Sequence, residues 1–265
     1  MLGVSKSAYY RWQEHRVSKR QKENELLLDV IKEIHSSVRE SYGSPRMKAE
    51  LCARGYTCGH NRVARIMREN EIIAKRTIRF RRLTKAGKKR PAAPNLLDRK
   101  FGVTVANRVW ASDITYIPTA EGFLYLAVVL DLYSRRIVGW GMSSRLNPEL
   151  VVNALYQALQ RRDVPAGLMH HSDRDILYSS NSYQRLLADN GIECSMSRKG
   201  NCYDNACVES FFGSLKNELV SFEKFESRDQ AAFELFAWIE VYYNRIRRHS
   251  TLDYLSPVDY EQKKC

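Results

Sequence analysis

Three carboxylates and one ammonium group stand where a charge needs a reason. Asp113 lies in the apolar run "VWASDITYI". Asp173 follows the apolar lead-in of "LMHHSDRDILYSS". Glu209 and Lys216 share the segment "DNACVESFFGSLKNELV". A charge inside an apolar strand is costly unless it is paired or metal-bound. Carboxylates are the ligands magnesium prefers. Two such ions can activate a water or a 3′-hydroxyl and stabilise the leaving oxygen in phosphodiester displacement. Each group also has a plainer reading. Asp113 could be a hydrogen-bonded structural aspartate, and Glu209 and Lys216 could be ordinary surface charges. Asp175 rivals Asp173, because residues two apart on a strand share a face and alternation cannot choose between them.

These groups need elements to hold them. Val208, Phe211, Phe212, Leu215 and Leu219 form the apolar stripe of a helix over 204–219. Asn205, Glu209, Gly213 and Lys216 lie along an adjoining face, with a glycine where a backbone or phosphate could approach. Upstream, "NRVWASDITYIPT", "GFLYLAVVLDLYS" and "RRIVGWGMS" read as three strands with short gaps, an antiparallel meander. "NPELVVNALYQALQRRD" is a helix opened by Asn147 and Pro148. "AGLMHH" is a strand, "SYQRLLADNG" a helix ending at Gly191, and "IECSMS" a strand. "RDQAAFELFAWIEVYYNRIRRH" is a further helix. This order predicts an α/β fold, a mixed five-stranded sheet flanked by helices.

The front of the chain has another character. Residues 1–108 carry 26 Lys/Arg against 10 Asp/Glu, and residues 109–265 carry 17 against 20. A basic front on a mildly acidic back points to a polyanion, and nucleic acid fits better than a membrane surface. Residues 22–39 show helical spacing. In "YGSPRMKAELCARGY", Ser44 suits a cap, Pro45 the first helical position and Gly55 the stop. "GHNRVARIMREN" turns Val63, Ile66 and Met67 inward and Arg62, Arg65 and Arg68 outward. Two short helices with an arginine-bearing second helix suit a helix-turn-helix. "KRTIRFRRLTKAGKKR" holds nine basic residues and no acid. It reads as a linker that tracks phosphates, with Arg81, Arg82, Lys88 and Lys89 as candidate contacts.

The six cysteines form no C-x-x-C pair and read as reduced, mostly buried thiols. No run suits a membrane span, and the N-terminus lacks a signal-peptide pattern. A cytoplasmic protein is expected.

Spacing narrows the reading. Between Asp113 and Asp173 lie 59 residues, and between Asp173 and Glu209 lie 35. This arrangement resembles the catalytic core of retroviral integrases and bacterial transposases. "WASDITYI", "HHSDRDILYSS", "SRKGNCYDNACVESFFGSLKNE" and "YYNRIRRHSTLDYLSPVDY", in that order, resemble the OrfB subunit of IS-three family transposases. "YGSPRMKAEL…NRVARIMREN" is similar to that subunit's helix-turn-helix segment.

The resemblance implies an RNase H-like core with a DDE motif. It makes Asp113, Asp173 and Glu209 the catalytic, metal-binding triad. It selects Asp173 over Asp175, which would leave an interval of 33. It implies two Mg2+ ions, with Mn2+ able to substitute, and strand cleavage and strand transfer in DNA transposition and integration. Lys216 resembles the lysine that contacts DNA at the reacting end. His171, Tyr178, Asn205 and Gly200 fall on motif positions near the site. Asp175 stands where the family motif has glycine, a residue that tolerates backbone angles aspartate resists. The implied layout is an N-terminal segment at 1–21, a helix-turn-helix domain at 22–74, a basic linker at 75–105 and an integrase core at 106–265. The implied partners are terminal inverted repeats, target DNA and an upstream OrfA-type subunit joined by frameshift fusion. A homo-oligomer assembled on DNA in the bacterial nucleoid is also implied. The alternatives are a non-catalytic DNA-binding regulator or decayed transposase, and a hybrid-specific ribonuclease.

Overall fold

A computed structural model describes residues 5–13, 18–75, 93–99, 101–198 and 205–264. The chain divides into two compact units, Met1–Lys75 and Arg76–Cys265.

The first unit is helical. It contains α1 (Lys6–Gln13), α2 (Lys19–Ser37), α3 (Ser44–Ala53) and α4 (His60–Glu69). Helix α2 starts earlier than its apolar spacing implies, because the Ser18 hydroxyl accepts the Gln21 N–H at 3.1 Å and caps it. Gly43, not Ser44, is the cap of α3. Ser44 is already helical, and its hydroxyl sits 3.1 Å from His60 Nε2. Pro45 is in the first turn, and Gly55 leaves the helix at φ 86° as expected. Ile31, Ile34, Met47, Leu51 and Val63 are fully buried between the three longer helices.

The second unit is built on β1 (Val109–Thr119), β2 (Gly122–Asp131), β3 (Ile137–Ser143), β4 (Met169–Ser172) and β5 (Glu193–Met196). The sheet order is β3-β2-β1-β4-β5. The first three strands form the antiparallel meander, and β4 and β5 run parallel to β1. This is the mixed five-stranded, RNase H-like sheet that was expected. Helix α5 (Pro148–Arg161) follows β3, and α6 (Asn181–Asp189) joins β4 to β5. Trp110, Val129 and Val138 pack with Leu150, Leu155 and Tyr183 into a core on that face. The approach is close: a Cβ added at Gly139 would lie 2.1 Å from the Ala154 carbonyl oxygen. The stretch expected as a linker is docked at its far end. Leu97 is buried, and the Leu96 and Leu97 amides donate to Ser195 Oγ on β5.

The late helices are longer in sequence than in α-helical form. Helix α7 (Ala206–Leu215) continues as a π-helical stretch over Lys216–Val220. Helix α8 (Arg228–Phe236) continues likewise over Ala237–Tyr243. Phe211 meets Trp238 and Tyr243 edge-on, at 5.7 and 4.7 Å between ring centroids. A short 3-10 turn (Ser250–Leu252) and α9 (Pro257–Lys264) end the unit. Among the described cysteines, Cys58 and Cys207 are buried, Cys194 is half-buried and Cys52 is exposed. No helix among the described residues is long and apolar enough to cross a membrane.

Candidate active site

The last parallel pair between β1 and β4 is Ser112 with Ser172. Asp113 and Asp173 are the next residue on each chain. Each aspartate thus follows directly on a residue of the last register pair, at the carboxyl end of β4. Crevices beyond the carboxyl ends of parallel strands are where open α/β sheets bind ligands.

The Asp173 segment is a turn, not an extension of β4. Asp173 Oδ1 accepts the Asp175 N–H at 3.0 Å, and Asp175 Oδ1 accepts the Leu177 N–H at 2.9 Å. Face alternation therefore does not apply to these two acids. Asp175 also has no left-handed backbone, for it is absent from the residues at positive φ. The aspartate meets no penalty there, and its carboxylate orders the turn. Burial, with the nearby Asp175 charge adding to it, pushes the Asp173 carboxyl up to about 6.

Beneath the pair lies Tyr178, fully buried. Its hydroxyl has no hydrogen-bond partner among the described residues. Burial holds the phenol well above its ordinary value, and the charges of Tyr183, Asp113, Asp173 and Asp175 act in the same direction. Tyr178 thus senses both aspartates of the expected triad.

The two histidines divide their work. His171 puts Nδ1 2.9 Å from Ser195 Oγ and Nε2 3.1 Å from Ser197 Oγ. It ties β4 to β5. His170, which sequence reasoning passed over, lies on the other face of β4, toward Ser112 of β1. Its Nε2 is 2.7 Å from Ser112 Oγ and 2.9 Å from the Tyr183 hydroxyl. Burial, with His171 beside it, lowers its pKa to about 3. The ring is neutral.

Helix α7 brings the third acid. Asn205, its buried cap residue, donates Nδ2–H to the Ser112 carbonyl at 3.1 Å. The helix therefore starts against β1 beside Asp113. Glu209 is one turn further along the same face, in the first turn of α7. A carboxylate there meets the favourable end of the helix dipole. Among the described residues, no three His, Cys, Asp or Glu side chains gather closely enough to hold one metal ion. Asp113 and Asp173 each follow the Ser112–Ser172 pair, and Glu209 lies one turn into the helix whose cap residue bonds Ser112.

The far end of α7 is stapled by the chain's tail. Arg247 bonds Glu218 at 2.6 and 2.8 Å and Ser214 Oγ at 3.0 Å, all largely buried. Burial works against the Arg247 cation, but Glu218 outweighs it and the guanidinium is held above its ordinary pKa. Lys216 Nζ lies over the Tyr116 ring, 5.4 Å from its centroid. The tail motif carried the signal for Arg247, but its partner lies across the fold.

The expected DNA contacts separate. Arg62 bonds Asn24 Oδ1 at 2.8 Å and Glu23 at 3.2 Å on α2, so it braces the helices. Arg65 pairs loosely with Glu69 at 3.8 Å, and Arg68 is exposed. Arg81, Arg82, Lys88, Lys89 and Gly200 lie outside the described residues.

Comparison with known proteins follows the same division. Residues 21–80 match the HTH-like domain family, and residues 104–202 and 190–257 match two integrase core domain families. The chain is 44% identical to the insertion element IS600 uncharacterized 31 kDa protein of Shigella sonnei, over 99% of this chain and 97% of that one. It is 42% identical to transposase InsF for insertion sequence IS3A of Escherichia coli K12, over 99% and 92%. It is 42% identical to the transposase for insertion sequence element IS904 of Lactococcus lactis, over 93% and 98%. The HTLV-2 integrase catalytic core, solved in complex with magnesium, aligns with 58% of this chain and 95% of its own, at 16% identity and a TM-score of 0.45.

Proposed function

Because this chain belongs to the IS3-type insertion-sequence transposases with an integrase core, we propose that it cleaves and joins DNA strands at Asp113, Asp173 and Glu209. The observation that supports the site assignment is that β1 and β4 pair in parallel as far as Ser112 and Ser172, the residues before Asp113 and Asp173, and that Asn205 at the start of α7 bonds the Ser112 carbonyl.

The donor set suits magnesium. It offers hard oxygen ligands, and the buried Asp173 carboxyl, pushed up to about 6, is relieved by a cation. Asp113 and Asp173 would hold the metal, and Glu209 would complete the set from α7. When bound, magnesium supplies charge neutralisation at the attacking and leaving oxygens. The protein's own residues do the positioning, which dominates catalysis in phosphoryl transfer. Asn205 fixes the start of α7 on β1, and Arg247 with Glu218 fixes its far end. The Asp175 turn holds Asp173 at the strand end. Lys216 is positioned to meet a phosphate of the DNA end. The helical unit binds DNA, with Arg68 presented to solvent. We assign the element's terminal repeats and target DNA as substrates. An OrfA-type subunit is the partner that supplies further end recognition, in a homo-oligomer on DNA.

The test is strand cleavage and strand transfer on terminal-repeat DNA with magnesium, using the chain joined to its upstream subunit. Asp113→Asn, Asp173→Asn and Glu209→Gln should each abolish both steps while leaving DNA binding in place. Wild-type activity in any one of the three would remove that residue from the site.

A further inference from the structure

Strand β4 pairs with β1 only as far as Ser112. Beyond that point, among the described residues, the edge of β1 carries no strand until an isolated bridge from Thr119 to Phe225. Along this open edge lies an aromatic cluster that the active-site assignment leaves unused. Tyr116 pairs in register with Tyr125, and Pro118 with Phe123. The Tyr116 and Phe123 rings stand 5.0 Å apart, and Phe123 is 6.5 Å from Tyr125. Tyr116 is 40% exposed and Phe123 49%. Lys216 reaches the Tyr116 ring from the end of α7, so the ring is accessible from the side that carries Glu209.

We propose that Tyr116 and Phe123, with Lys216, form a stacking platform for an unpaired nucleobase of the DNA end beside the scissile phosphate. The inference rests on the strand-cleavage reading. Tyr116 is three residues beyond Asp113, about 10 Å along the strand at about 3.3 Å per residue, and its side chain leaves β1 on the other face. What joins the ring to the site is Lys216, which reaches round from the helix face that also carries Glu209. Exposed rings beside a cation match a nucleotide twice over. The ring faces take a base of any sequence, and the ammonium takes the neighbouring phosphate. The two rings stand exposed as an adjoining pair with the Lys216 ammonium on one of them. The platform would hold a frayed end open, so that its terminal strand lies across Asp113 and Asp173.

The experiment uses the full chain and fluorescence anisotropy. The probes are a short labelled duplex with a mismatched, frayed 3′ end and the same duplex with abasic residues in the frayed strand. Binding by the helical unit is common to both probes and cancels in their ratio. Wild type should bind the frayed probe about ten-fold tighter than the abasic one. Phe123→Leu should narrow that ratio, and Tyr116→Leu with Phe123→Leu should bring it close to one. Should the double variant fail to fold, the single Phe123→Leu change on an exposed side chain carries the test. A ratio of one in wild type, or an undiminished ratio in the leucine variants, overturns the platform. Asp113→Asn is run in parallel: it should lose cleavage and keep the ten-fold ratio. If it cleaves normally, the active-site reading fails instead. If it is inactive and the leucine variants keep the preference, only the platform fails.

Discussion

Acid should weaken this protein through one neutral histidine. His170 is fully buried, with Nε2 between the Ser112 and Tyr183 hydroxyls and no partner for Nδ1 among the described residues. Protonation would add a second N–H and leave a charged donor without an acceptor. Burial accordingly lowers its pKa from 6.5 to about 3. The sign follows from linkage. A group whose folded pKa lies below its unfolded one contributes stability at high pH and loses it as pH falls between the two. At about 1.4 kcal/mol per unit, the gap between 6.5 and about 3 is worth roughly 5 kcal/mol in full. Roughly 2 kcal/mol of that is gone at pH 5. Asp131 acts in the opposite direction. Burial raises its carboxyl to about 6 despite the amides of Asn107 and Tyr133, so it destabilises the fold as pH rises. A difference between variants removes such background. Urea unfolding at pH 7.5 and pH 5, followed by tryptophan fluorescence, should show wild type losing about 2 kcal/mol more than His170→Gln. Equal losses in the two proteins would mean that His170 titrates alike folded and unfolded, and would sink the argument.

Four further outcomes follow from particular contacts. Gly139→Ala drives a methyl into the Ala154 carbonyl and the Ala158 amide of α5, at 2.1 and 2.7 Å, and should cost about 3 kcal/mol in a thermal melt. Gly213→Ala meets nothing within 4 Å and should be neutral or stabilising by up to about 1 kcal/mol, while reducing strand transfer if the DNA backbone passes there. Glu218→Gln leaves the buried Arg247 charge without its carboxylate, and should cost about 3–5 kcal/mol by urea unfolding. Asp175→Gly removes the acceptor of the Leu177 N–H and should cost about 1 kcal/mol by the same method, whereas Asp175→Asn keeps that acceptor and should be close to wild type.

Helix and strand identity was readable locally. The apolar spacing of α5 and of α7, and the β-branched runs of β1 to β3, place those elements within a few residues of their observed bounds. Such patterns depend on neighbours one turn or two residues away, which the sequence displays directly. Departures came where a distant group intervened. Arg62 has the spacing of an outward arginine, yet Glu23 and Asn24 on α2 claim it. The late helices show unbroken helical spacing, and nothing in that spacing announces their π-helical turns.

The candidate site divides in the same way. From residue types and spacing came Asp113, Glu209, Lys216 and the rival pair Asp173 and Asp175 as candidates, and the family resemblance chose Asp173 and made the triad. Their mutual placement belonged to the tertiary structure. Parallel pairing of β1 with β4 puts side by side Ser112 and Ser172, the residues before two aspartates that 59 residues separate in sequence. The choice between His170 and His171 was set by which face of β4 meets β1's Ser112 and which meets β5's serines. Asp175 was a strained misfit on paper and is a turn-former in the fold, because the chain leaves β4 at Ser172. Composition and periodicity record what each residue prefers. Register, close packing and buried pairing record which distant residue it meets, and only the folded chain specifies that.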